Sequence, residues 1–234
     1  MQILYEDNHC LAVNKPAPLL TQGPPGIPTL EAMAKDYLKE KYHKAGYVYL
    51  GIPHRLDRPV SGVVLFARST KAAQRLAEQF RARQVVKVYK GIVAGYPEHS
   101  EGIWQDWLRK IKEAARSEIV PEFSDGAKLS LLRYRVLQGC AGGALVEFRP
   151  ETGRMHQIRL QASRHGHPIL GDVSYGSQAS FGPPAELPRD RVIALHAHSL
   201  TFLHPIRYEP ITVTASLPDY WPVSAAEIER PGEV

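Results

Sequence analysis

Residues 54–62, His-Arg-Leu-Asp-Arg-Pro-Val-Ser-Gly, set one carboxylate, Asp57, between two arginines, Arg55 and Arg58. Neighbouring cations favour the charged form of a carboxyl group, so Asp57 is expected to be ionised at any working pH. Such an anionic oxygen can attack an electrophilic carbon or accept a proton. A second cluster, Glu-Thr-Gly-Arg-Met-His-Gln-Ile-Arg-Leu at 151–160, crowds Arg154, His156 and Arg159 around the start of one helix. Free backbone N–H groups there add positive potential, which suits a phosphate or a carboxylate partner. A third grouping, His196-Ala197-His198, would put two imidazoles on one face of a strand, a spacing that can hold zinc. No cysteine pair and no His-Glu-x-x-His accompanies it, which leaves the metal reading weak.

These residues need elements to hold them. Pro59 and Gly62 put Asp57 on a loop that feeds the apolar run Val63-Val64-Leu65-Phe66-Ala67, a buried strand. Two short strands, 3–5 and 10–13, precede a Pro/Gly-rich loop over 15–28. Thr29 caps a helix over 30–42, and Ser69 or Thr70 starts another, basic on its outer side through Lys71, Arg75, Arg81 and Arg83. The alternating, β-branched stretch 85–94 reads as a strand carrying Lys87 and Tyr89. Residues 129–137 and 144–148 read as a hairpin, and a helix is expected from about Met155 to Arg164, ended by Gly166 and Pro168. Strands at 193–203 and 211–217 and a short helix near 219–229 complete the chain. Residues 97–127 are ambiguous: Trp104, Trp107, Leu108 and Ile111 fit a helical face, and an extended insert fits equally well. Strands that follow one another directly imply an α+β fold, one domain over 1–234, built on a mixed, largely antiparallel sheet flanked by helices.

Composition narrows the class. The 234 residues are 44% hydrophobic and 23% charged, as in a folded globular protein. Lys and Arg number 29 against 24 for Asp and Glu, a modest excess with the sign a polyanionic partner requires. Two cysteines, Cys10 and Cys140, form no disulfide framework or thiolate metal site. The start lacks a basic n-region and an apolar h-region, so no signal peptide is expected, and no apolar run reaches the ~20 residues needed to span a bilayer. A reducing cytoplasm is the expected compartment.

Taken together, His54-Arg55-Leu56-Asp57-Arg58 with Ser61-Gly62, Thr152-Gly153-Arg154 with His156-Gln157-Ile158-Arg159, and Leu195-His196-Ala197 with His204-Pro205 resemble the signature segments of RluA-type RNA pseudouridine synthases. The likeness runs from about Ile3 to Leu217 and includes Asn14-Lys15-Pro16 and the strand bearing Lys87 and Tyr89. It implies a pseudouridine-synthase-like domain that isomerises uridine to pseudouridine in rRNA or tRNA, without metal or cofactor; separately from the resemblance, a monomer is expected. By similarity Asp57 is the catalytic carboxylate, Arg159 pairs with it, and Tyr89 is the active-site aromatic. Arg55 matches the arginine that fills space left by a flipped nucleotide. Ile158 and Leu195 are candidate apolar walls, and Lys87, Arg154 and the basic 71–83 helix a candidate phosphate track. Many relatives carry a small RNA-binding domain before the catalytic one, and this chain is expected to lack it. Val60 stands where Thr is frequent, and Met155 where a small or polar residue is usual. The rival from another class is an inactive RNA-binding protein of the same fold, disfavoured because a carboxylate facing a polyanion weakens binding.

Overall fold

Helices form where the sequence supplies both an apolar stripe and a start signal. In the computed structural model, which describes residues 1–111, 114, 116–140 and 142–222, α1 spans Leu30–Lys41 and α2 spans Thr70–Arg81. The Thr29 hydroxyl accepts from Ala32 N–H at 3.1 Å and the Ser69 hydroxyl from Ala72 N–H at 3.2 Å, each satisfying an otherwise orphaned helical donor. The chain divides into two compact units.

The first unit comprises Met1–Lys87 and Ala197–Pro218. Strands β1 (Gln2–Glu6), β2 (Cys10–Lys15) and β3 (Ser61–Ala67) are neighbours in that order. The 197–203 part of β9 (Leu195–Leu203) lies next to β3, and β10 (Pro210–Thr214) pairs antiparallel with β9. Every residue of β3 is buried. Ala72 and Leu76 of α2 join Val63, Leu65 and Ala67 of β3, Cys10 and Ala12 of β2, and Leu200 and Phe202 of β9 in one apolar cluster. The alternate residues of β2 and β3 supply that face because side chains alternate along a strand. Gly62, at the start of β3, has φ +114, and a Cβ there would lie 2.2 Å from the Ala197 carbonyl oxygen. Only glycine allows the two backbones so close.

The second unit comprises Val88–His196 and the chain from Asp219 onward. Its strands are the greater part of β4 (Val86–Ala94), then β5 (Glu101–Lys110), β6 (Ser117–Ile119), β7 (Lys128–Cys140) and β8 (Gly143–Pro150). They lie in the order β4, β8, β7, β5, β6, with antiparallel pairing throughout. Helix α3 (Gln157–Arg164) packs on this sheet. Gln161 Nε2 donates to Trp104 O and Asp106, and the His165 ring stacks on Trp104 at 4.8 Å.

The α+β expectation with a largely antiparallel sheet holds. Residues 101–110 are strand, not helix, and α3 begins two residues later than expected because His156 takes a left-handed conformation, φ 54. The expected helix near 219–229 falls mostly outside the described residues: 219–222 are turn and bend, and nothing is described beyond them. No helix among the described residues is long and apolar enough to cross a membrane.

Candidate active site

Asp57 sits in the first unit, half-buried, on the loop that enters β3. Both of its chain neighbours are pinned. Thr21 Oγ1 accepts from Leu56 N–H at 3.1 Å and donates to Leu56 O at 2.9 Å. Arg58 O accepts from Leu19 N–H at 3.1 Å and from the Lys15 ammonium at 3.3 Å. Val60 N–H closes a turn on Asp57 O. A carboxylate whose main chain is fixed on both sides is pre-organised, and no binding energy is spent ordering it.

Lys15 is fully buried and donates to Pro16 O at 3.2 Å and Leu19 O at 2.7 Å as well as to Arg58 O. Burial pushes its amine down to about 7, against the opposing pull of the Asp57 charge. His54 also serves the loop. Its Nε2 accepts from Leu65 N–H at 2.9 Å, its ring stacks on Phe80 at 4.6 Å, and desolvation lowers its pKa to about 3. It is therefore a neutral imidazole that ties the loop to β3. Arg55 is exposed to solvent, while Lys87 is half-buried, its pKa lowered to about 8 by burial and by the neighbouring Arg83 charge.

In the second unit the Thr-Gly-Arg-Met-His-Gln segment is first a structural lock. Gln157 Oε1 accepts from Thr152 Oγ1 at 2.8 Å and from Arg154 N–H at 3.0 Å, and its Nε2 donates to Leu131 O at 3.0 Å. Thr152 Oγ1 accepts in turn from Leu131 N–H. These bonds fasten the start of α3 to β7. Arg154 Nε donates to Leu129 O. Two residues into the helix, Arg159 is buried, and its Nε and Nη2 fork onto Asp172 at 2.6 and 2.8 Å. The guanidinium lies 4.9 Å from the centre of the Tyr175 ring, whose hydroxyl meets His156 Nδ1 at 2.8 Å. Two parallel charge-assisted bonds fix the plane of the guanidinium and leave Nη1 outside that fork.

Tyr89, half-buried on β4, stands opposite Phe148 of β8. Ile158 and Leu195 are buried at 7% and 3% exposure, as befits either a pocket wall or a core position. Among the sequence-derived candidates, Asp57, Arg55 and Lys87 thus belong to the first unit, and Tyr89, Arg154, Ile158, Arg159 and Leu195 to the second. The locking roles of Thr21, His54 and Asp172 were not read from the sequence. Asp172 in the Gly171-Asp172 pair and His54 in its motif were visible, but nothing local says which partner each takes.

The histidine pair shows other engagements: His198 Nδ1 lies 3.1 Å from Ala215 O, and the His196 ring meets Trp221 edge-on. Asp7, Cys10 and His204 do have ligand spacing. There, however, Asp7 accepts from His9 N–H, Cys10 N–H, Tyr5 and Arg207, and His204 Nδ1 accepts from Arg207 N–H. Burial also raises the Cys10 thiol to about 12. That donor set is committed to the fold and unsuited to a cation. Both cysteines are free thiols.

Residues 9–164 match the sequence family described as RNA pseudouridylate synthase. The ribosomal large subunit pseudouridine synthase C of Rickettsia typhi is 35% identical over 220 residues, which cover 94% of this chain and 69% of that protein. The tRNA pseudouridine synthase C of Haemophilus influenzae is 33% identical over 234 residues, covering 94% and 95%. Among solved structures, human RNA pseudouridylate synthase domain containing 4 superposes with a TM-score of 0.75 at 27% identity, covering 94% of this chain and 89% of that one.

Proposed function

The chain belongs to the RNA pseudouridylate synthase family and is an RNA pseudouridine synthase, and from that premise we propose that Asp57 is its catalytic carboxylate, acting on uridines flipped out of rRNA or tRNA. The supporting observation is the double clamp on Leu56 and Arg58, which fixes the main chain on both sides of the carboxylate. The reaction breaks the bond between ribose C1′ and uracil N1, turns the base, and joins C1′ to C5. The C5 proton leaves and N1 gains one, so atoms balance with no external reagent. Asp57 supplies the anionic oxygen that assists the cleavage.

Arg159, held in plane by Asp172, takes the role of the arginine that partners the catalytic carboxylate in the family it resembles. The Tyr89 ring stacks on the uracil and its hydroxyl relays the C5 proton. Extruding a base costs a few kcal/mol, offset by stacking and by Arg55 entering the space left behind. Ile158 and Leu195 wall the base, and Lys87 and Arg154 meet phosphates. The working form is a cytoplasmic monomer that needs no metal.

The test incubates the protein with bulk rRNA and tRNA from a strain lacking it and maps pseudouridine by mass spectrometry. New pseudouridine at discrete sites, lost in Asp57→Asn and kept in EDTA, is expected. Conversion by Asp57→Asn at the wild-type rate would overturn the role of Asp57. A wild-type protein that binds RNA and converts nothing would instead identify a binding protein.

A further inference from the structure

The β5–β6 hairpin and the turn before α3 enclose a groove of about 650 Å³ whose lining shares only Arg154 with the residues assigned above. Leu108, Arg109, Lys110 and Lys128 line it, and Arg154 and Met155 close it on the other side. Four cations (Arg109, Lys110, Lys128, Arg154) face two carboxylates, Glu118 and Asp125, so the groove carries net positive charge. Its wall is rigid where it matters. Arg109 Nε and Nη2 both bond Glu118, at 2.9 and 2.8 Å, and its Nη1 reaches the Asp125 carbonyl at 3.4 Å. Lys110 and Lys128 project into solvent.

Beside the groove stands Phe123, 95% exposed. Its loop is ordered by hydrogen bonds: Val120 N–H to Trp107 O, Ser124 N–H to Pro121 O and Ala127 N–H to Ser124 O. Phe123 is two residues from Asp125, hence within ~7 Å of the lining along the chain. An aromatic ring held in water at the edge of a cationic groove has the two parts of a single-strand nucleic-acid site, a track for phosphates and a platform for a base.

We propose that this groove binds single-stranded RNA flanking the target, with Lys110 and Lys128 on phosphates and Phe123 stacked on an unpaired base. The inference rests on the RNA pseudouridine synthase reading and adds to it a contact surface whose lining includes neither Asp57 nor Tyr89.

The test measures affinity for a fluorescently labelled single-stranded RNA of about 12 nucleotides, and for its duplex, over a salt series. Phe123→Ala is expected to bind the single strand about 5- to 150-fold more weakly, and Phe123→Trp to bind it normally. Lys110→Gln/Lys128→Gln should reduce the salt slope by about 1.4, two single-strand phosphates at ~0.7 each. Circular dichroism confirms that the variants fold. Unchanged affinity and slope overturn the groove, even if the wild type converts uridine in bulk RNA. Losses confined to the duplex overturn the single-strand assignment. Losses for the single strand together with a wild type that makes no pseudouridine leave the groove standing and remove the enzymatic reading instead.

Discussion

Asp172→Asn separates the charge of the Arg159 fork from its shape. The substitution keeps one oxygen but places an NH₂ against guanidinium N–H groups, donor facing donor, where Asp172 is 1% exposed. Removing one partner of a buried ion pair costs about 3–5 kcal/mol, since the remaining charge keeps its desolvation penalty and loses its counter-charge. For a chain of this size each kcal/mol lowers Tm by about 2–4 °C, so a drop of about 6–20 °C is expected. Thermal unfolding of Asp172→Asn, Arg159→Met and the double variant forms the cycle that checks it. The double variant should be less stable than wild type by far less than the two single losses added together. A single variant melting within about 1 °C of wild type, or a strictly additive double, would refute the argument that this fork is a coupled buried pair.

Gly62→Ala should destabilise the fold by at least ~3 kcal/mol in urea unfolding, because its Cβ would meet the Ala197 carbonyl at 2.2 Å from a left-handed backbone. Thr152→Val should lower Tm by several degrees through loss of the Gln157 and Leu131 bonds, and full stability would show the lock is dispensable. The His54 pKa of about 3 lies below that of an unfolded histidine, near 6.5, so the unfolded chain takes up the proton first. The stability contributed by neutral His54 is complete above pH 6.5 and is lost as pH falls toward 3. Over that window His54→Gln should remove up to ~1.4 kcal/mol per pH unit from the slope of unfolding free energy against pH, and an unaltered slope would contradict the neutral imidazole.

Helices α1 and α2 were legible because Thr29 and Ser69 announce them and apolar residues recur at helical spacing. The 101–110 strand was not, for a specific reason. Trp104 and Leu108 are four apart, a spacing that shares a face in a helix and equally in a strand. Pairing with β7 over Glu101–Leu108 decides between them, and that is a long-range fact. The candidate motifs stood out by residue type, Asp57 between arginines and the Arg154–Arg159 run. Their supports did not. Thr21 lies 35 residues from Leu56, and Asp172 lies 13 from Arg159 across an irregular segment. Only folding reveals such partners.

The clamp around position 57 grips peptide groups through Lys15 and Thr21, so part of what shapes that loop lies outside it. Saturation mutagenesis would therefore find intolerance upstream as well, at Lys15 and Thr21, in a stretch with no chemistry of its own. Transplanting the nine-residue loop into another scaffold would carry the acid but leave behind what aims it.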